Sequence, residues 1–220
     1  MAGLETFQPS SQVKSLLNPV VGVCVSAGPF MHSRTAFCLQ AQAVFNAQAG
    51  VRELPVIHEG ADPAQARNLG AEMLLNNGAE WILFIDSDMM FPPQGLLRLL
   101  SHDRDIVGCD YRRRGYPFNK LGSFNPQTMP QSEHGLVQRE YLGLGYFLVR
   151  ASVFSKLPKP WFARLYEAQT MMTEDLWFGH RAEQHGLQIW CDMDLTREIV
   201  HLGTAYVSWD IPSPRREAAE

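Results

Sequence analysis

The chain has 220 residues, 45% hydrophobic and 19% charged, with a formal net charge of -4. That length supports a well-buried core. The composition excludes a disordered chain, and the mild acidity argues against a surface that is basic throughout, as a nucleic-acid coat would be.

Residues 1–18 read as a polar lead-in, 19–211 as one domain, and 212–220 as a frayed tail. Pro19 to Ser26 forms a first strand, broken by Ala27-Gly28-Pro29. Ser33, as N-cap, opens a helix whose apolar Ala36, Phe37, Val44 and Phe45 recur at helical spacing up to Gly50. Leu54 to His58 is a second strand. Asp62 caps a helix from Pro63 to Leu75, with proline at the first helical position. Trp81 to Ile85 is a continuous apolar run, the mark of a strand covered on both faces. A short helix over Pro93 to Leu100 and a fourth strand over Asp105 to Tyr111 follow. This alternation predicts parallel strands joined by right-handed crossovers. Beyond it lie a loop over 112–135, a strand over Leu144 to Val149, a short helix from Ala151 to Leu157 and a loop over 158–172. A helix from Glu174 to His185 and a strand from Gln188 to Asp192 complete the pattern. The expected fold class is α/β, with a mostly parallel central sheet and helices on both faces.

The four cysteines are scattered without metal-site spacing. Cys24 and Cys109 read as small core residues, which agrees with a reducing, cytoplasmic setting. The start of the chain lacks the basic and apolar stretches of a secretion signal. No apolar run reaches the roughly 20 residues of a membrane helix.

The most informative motif is Asp86-Ser87-Asp88, at the carboxyl end of the apolar third strand, where open α/β sheets bind ligands. If extended geometry persists through Ser87, both carboxylates face one way and grip one hard divalent cation, Mg²⁺ or Mn²⁺. The plain alternative is a polar strand end. Glu174-Asp175 after Thr173 is either an ordinary acidic first turn, with Thr173 as N-cap, or a carboxylate aimed at an acceptor hydroxyl. His201 gains interest because a site with two carboxylates has room for an imidazole. Arg67-Asn68 reads either as a helix surface or as a cation and an amide pointing into the crevice. Ser26, Ala27 and Gly28 are small enough for a nucleotide to approach the backbone. Gly143 and Gly145 permit a bend or keep a pocket floor open. Arg112-Arg113-Arg114 is a solvated run or an anion site. Tyr116, Phe118, Trp161, Phe162 and Tyr166 pack down loops or stack on rings.

Taken together, Ala66-Arg67-Asn68, Phe84-Ile85-Asp86-Ser87-Asp88, Gly143-Leu144-Gly145, Thr173-Glu174-Asp175 and Val200-His201 resemble the GT-A fold glycosyltransferases, family 2-like, over about residues 19–204. The resemblance implies a nucleotide-sugar donor such as a UDP-sugar, bound near Ser26, Ala27, Gly28, Arg67, Asp86, Ser87 and Asp88. It implies Mn²⁺ or Mg²⁺ held by Asp86, Asp88 and His201, with Asp86 acting through the metal or the ribose. Asp175 or Glu174 would then stand beside the reacting hydroxyl. The loop over 158–172 would close over the donor. Short enzymes of this look occur in bacteriophages, some acting on hydroxymethylated pyrimidines in DNA, so a DNA base is one candidate acceptor. The competing readings are a nucleotidyltransferase on the same kind of sheet and a non-catalytic nucleotide-sugar or carbohydrate-binding module. Against the first, Ser26-Ala27-Gly28-Pro29-Phe30 is a poor match to a glycine-rich basic loop.

Overall fold

A computed structural model describes residues 18–60, 62–112, 132–133, 135–167, 170–203 and 207–208. Residues 1–17 of the lead-in, the tail, Arg113, Arg114, Tyr116 and Phe118 lie outside the described residues.

Strand β1 (Val20–Ala27) pairs in parallel with both β2 (Arg52–Glu59) and β3 (Trp81–Asp86). Helix α1 (Ser33–Gln48) connects β1 to β2, and α2 (Pro63–Asn76) connects β2 to β3. After β3 come a short β4 (Met89–Met90), α3 (Gly95–Ser101) and β5 (Ile106–Gly108). Then follow β6 (Ser132–Glu133), β7 (Leu136–Arg139), β8 (Tyr146–Arg150) and α4 (Ala151–Lys156). The described chain continues through β9 (Leu165–Glu167), β10 (Thr170–Met172), α5 (Glu174–Gln184), β11 (Ile189–Asp192), α6 (Met193–Thr196), β12 (Val200–His201) and β13 (Val207–Ser208).

The main sheet has the order β2-β1-β3-β8-β5-β11-β7-β6. β8 runs antiparallel to both of its neighbours, β3 and β5, while β5 and β11 are parallel. β7 is antiparallel to β11 and to β6. The sheet therefore runs mostly one way, with β8 and β7 reversed. The expected α/β class, with helices on both faces, is the fold observed. The crossover from β3 leads through α3 to β5, which runs the same way but is not its neighbour, because β8 lies between them.

Alternation along the strands builds two cores. Trp81, Leu83 and Ile85 point with Val21, Val23 and Val25 toward α1, α3 and α6. Ile82 and Phe84 point with Cys24 toward α2, α4 and α5. Helix α2 lies close against β1 because of two glycines. A Cβ on Gly22 would come 2.8 Å from Leu74, and one on Gly70 would run into the Cys24 sulfur.

Several local expectations change. Asp62 caps α2 through Ala64 N as expected, but the N-cap of α1 is His32, which accepts from Arg34 N, and Ser33 is already helical. The inner face of α1 is mixed: Thr35, Gln42 and Asn46 are buried and Cys38, Leu39 and Phe45 pack partly buried against the core, while Phe37 and Val44 are exposed. Gln42 and Asn46 donate to Glu53 on β2, and the Tyr146 hydroxyl donates to Gln42 Oε1 (2.6 Å). Apolar spacing misled there because hydrogen-bonded polar groups fill the space that Phe37 and Val44 were expected to occupy. The 158–172 stretch is not all loop. It contains the hairpin β9–β10, and Trp161 and Phe162 are core residues against Phe154 and Phe178, while Tyr166 is exposed. No helix among the described residues is long and apolar enough to cross a membrane.

Alanine is the better helix former by about 1 kcal/mol, yet Gly70→Ala is expected to lower stability by about 1–3 kcal/mol through overpacking against Cys24. Calorimetry should show a drop of about 2–4 °C for each kcal/mol lost, partly restored in Cys24→Ala/Gly70→Ala. A midpoint at or above wild type would mean that α2 does not rest on this contact.

Candidate functional site

The sheet's carboxyl ends open into a cleft of about 850 Å³. Its walls include Ser26, Ala27 and Gly28 after β1, Arg67 on α2, Asp86, Ser87 and Asp88 after β3, Glu174 and Asp175 on α5, and His201 on β12. These are residues singled out in the sequence. The structure brings them to one place although they span 175 positions of chain, from 26 to 201.

Backbone bonds fix the acidic triplet. Asp86 N donates to Gly145 O (3.2 Å), His32 N to Ser87 O (2.9 Å), and Leu202 N to Asp88 O (2.7 Å). Strand β3 ends at Asp86, and Ser87 and Asp88 form a turn. The expected extended geometry through Ser87 is therefore absent, and the two carboxylates take different partners. Asp86 Oδ1 accepts from Arg67 Nη2 at 2.5 Å, and Asp86 Oδ2 lies 3.4 Å from the Tyr111 hydroxyl. Asp88 Oδ1 faces His201 Nε2 at 3.5 Å. Antiparallel pairing of β12 with β4, which sets His201 opposite Met89, delivers the imidazole here.

Arg67 is 3% exposed and joins two carboxylates: its Nη1 donates to Glu174 Oε1 (2.8 Å) and its Nη2 to Asp86. Arg164 Nε closes the chain on Glu174 Oε2 at 2.7 Å. Burial alone pushes the Glu174 carboxyl up, but the Arg164 hydrogen bond and the Arg67 charge outweigh it and hold Glu174 below its ordinary value. Burial lowers the affinity of Arg67 for its proton, and the charges of Asp86 and Glu174 more than restore it. Burial lifts Asp86, against the pull of Arg67. Asp175 Oδ1 accepts from the Thr173 hydroxyl and from Leu176 N. Thr173 occupies the N-cap position of α5, but its hydroxyl serves Asp175 and makes no capping bond.

Asn68 does not point into this cleft. Its amide donates to Ala64 O and Phe162 O and accepts from Trp161 N and Phe162 N, clamping the 161–162 segment onto α2. Arg112 is a buried side chain, not a solvated one.

Sequence reasoning missed Tyr111, which is 4% exposed. Its hydroxyl accepts from Gly145 N (2.8 Å), and its ring meets the His201 imidazole edge-on, with centroids 5.1 Å apart. A Cβ on Gly143 or Gly145 would lie 2.6 Å from Tyr111 atoms. Those glycines make room for a tyrosine. Only a wider search of the strand end after Gly108 for hydrogen-bonding side chains would have found it.

Among the described residues no three His, Cys, Asp or Glu side chains converge as a ready metal cluster. The fit to a divalent cation rests instead on Asp88 and His201. His201 Nδ1 lies 2.7 Å from the Arg112 carbonyl oxygen, which can only accept, so Nδ1 carries the hydrogen. In the neutral ring Nε2 then turns a lone pair toward a carboxylate oxygen. Nε2 and Asp88 Oδ1 would then form a nitrogen–oxygen pair of donors for a divalent cation.

No protein-family model and no curated protein matches this chain. Among solved structures, it is similar to A197 from STIV, with 13% identity and a TM-score of 0.56, over 90% of this chain and 97% of that one. Fainter likenesses include Drosophila β1,4-galactosyltransferase 7 in complex with manganese, UDP-Gal and xylobiose (16% identity, TM-score 0.42, 88% of this chain and 71% of that one). Another is UDP-glucose pyrophosphorylase with UDP-glucose (12% identity, TM-score 0.45, 83% and 75%). At such identities the likeness to A197 speaks for the fold alone.

Arg67→Met is expected to lose about 1–3 kcal/mol in urea unfolding, because it leaves Asp86 without its guanidinium and Glu174 with Arg164 alone. Adding Asp86→Asn and Glu174→Gln should recover most of the loss. Unchanged stability in the single variant would mean that the ion triad does not form in solution.

Proposed function

We propose that this chain is a GT-A, family 2-like glycosyltransferase that moves a sugar from a nucleotide-sugar, a UDP-sugar by preference, to an acceptor hydroxyl with the help of Mn²⁺ or Mg²⁺. The observation that carries this reading is the pairing of Asp88 and His201 across one cleft from the Arg67-centred carboxylates.

Asp88 and His201 would hold the cation. When bound, it neutralises the charge that builds on the departing diphosphate. Asp86, fixed by Arg67, is left to accept a hydrogen bond from a ribose hydroxyl through Oδ2, whose tyrosine contact is long. Ser26, Ala27 and Gly28 form the wall for the nucleoside; a Cβ on Gly28 would meet nothing within 4 Å. Arg164 borders the cleft and offers its guanidinium to phosphate. In the transfer step the acceptor oxygen bonds to the anomeric carbon, the bond from that carbon to the diphosphate oxygen breaks, and the diphosphate leaves with the electron pair. Asp175 takes the hydroxyl proton. Glu174 is a poorer base, since both of its oxygens are engaged by arginines and its carboxyl is held ionised. Its part is to hold Arg67 and Arg164 in place.

The acceptor is an alcohol of unassigned class. A DNA base gains little support, because Arg112 is buried and so does not add a solvated charge to a basic patch.

Nucleotide-sugars should raise the melting temperature in the presence of Mn²⁺ by mass action, and release of nucleoside diphosphate should require the metal. Asp88→Asn should abolish both effects. Turnover that survives chelation and Asp88→Asn would overturn the metal assignment. Pyrophosphate released from a nucleoside triphosphate and a sugar phosphate would mark a nucleotidyltransferase instead.

A further inference from the structure

We infer that Tyr111 is the positioning residue that sets the donor carboxylate Asp86 and the imidazole His201 relative to one another. The inference rests on the glycosyltransferase reading and adds a residue to it. Tyr111 follows β5, whereas Asp86 ends β3 and His201 lies on β12 of a separate small sheet. The β4–β12 pairing and the bond from Leu202 N to Asp88 O already hold the two segments side by side, and within that frame the two side chains still have to be oriented.

Tyr111 reaches both. Its hydroxyl has one proton. Gly145 N donates to the oxygen at 2.8 Å, and the proton is left to point at Asp86 Oδ2 at 3.4 Å. Burial pushes the phenol well above its ordinary value, so it stays a donor throughout the neutral range. The ring edge meets His201 at an interplanar angle of 81°. The next residue, Arg112, accepts from His201 Nδ1 through its carbonyl, which fixes the tautomer. One dipeptide thus orients the carboxylate by a hydroxyl and the imidazole by a ring edge and a carbonyl. Neighbouring glycines confirm how little slack exists: a Cβ on Gly145 would lie 2.6 Å from the Tyr111 hydroxyl and 3.0 Å from Asp86 Oδ2.

The two halves of this role separate by mutation. Tyr111→Phe keeps the ring and removes the hydroxyl. Donor KM should rise about 3–10-fold, as expected for one lost hydrogen bond, with kcat within about twofold and with Mn²⁺ affinity, read by electron paramagnetic resonance, unchanged. Tyr111→Leu removes the ring edge as well, and Mn²⁺ affinity should fall about 10-fold or more, the scale seen when a ligand's outer partner is lost. Circular dichroism melts show which variants are folded and so which readings count. In an Asp86→Asn background, Tyr111→Phe should add less than about twofold to donor affinity, because the hydroxyl acts through that carboxylate. Full additivity, or an unchanged KM in folded Tyr111→Phe, would overturn the inference. Wild-type protein that binds neither Mn²⁺ nor any nucleotide-sugar would instead overturn the glycosyltransferase reading itself.

Discussion

The site depends on one buried cation. Arg67 is 3% exposed, and a charge so placed persists only because Asp86 and Glu174 take it from either end. The three residues come from α2, the end of β3 and the start of α5. The guanidinium spans both carboxylates with its two Nη groups and leaves its Nε buried without a partner, at a cost of about 1–3 kcal/mol. Such a triad adds little net stability over apolar packing. Its effect here is to admit one arrangement: any shift of α5 against β3 pulls Arg67, which is closed off from water, away from one of its carboxylates. Arg164 extends the constraint from the base of the β9–β10 hairpin to the same glutamate.

Because Arg67 claims Asp86, the two acids of the triplet divide their tasks. The chain turns at Ser87, and the backbone carbonyls of Ser87 and Asp88 are taken by His32 N and Leu202 N. Asp88 is thereby swung toward His201, away from the arginine. Had the strand continued, both carboxylates would have faced one side; the turn instead sets Asp88 Oδ1 opposite His201 Nε2. Glu174 and Asp175 are separated in a similar way: the first is drawn into the ion network, while the second is held by Thr173 and Leu176 N at the cleft wall.

Much of this was legible in the sequence because chemistry at strand ends leaves a strong trace. The apolar run Trp81–Ile85 marks a strand buried on both faces, and the acid that follows marks where it leaves the core. Asp62 before Pro63 marked the start of α2 for reasons local to the backbone. What escaped was set by contacts between distant residues. Gln42 and Asn46 face inward from α1 because Glu53 and the Tyr146 hydroxyl lie under them, and no helical periodicity contains that information. Asn68, adjacent to Arg67, looked equally suited to the crevice, but a rotation of about 100° per residue along a helix sends it to the other wall. Gly143 and Gly145 were visible as glycines, yet their reason, the ring of Tyr111, lies more than thirty residues upstream.

The reversed strand β8 resolves the last of these. In a sheet whose other central strands present their carboxyl ends to the crevice, one more parallel strand would have brought another carboxyl end. β8 instead begins there, so the segment leading into it, Leu142 to Gly145, arrives with its amide directed at Tyr111 and its carbonyl accepting from Asp86 N. The insertion between β3 and β5 also widens the gap that a side chain from the end of β5 must cross to reach β3. A tyrosine is long enough, provided that nothing larger than glycine stands in its path. The antiparallel insertion, the two glycines and the buried phenol are therefore one structural decision. Together they set the phenol hydroxyl 3.4 Å from Asp86 Oδ2 and its ring edge against the His201 imidazole.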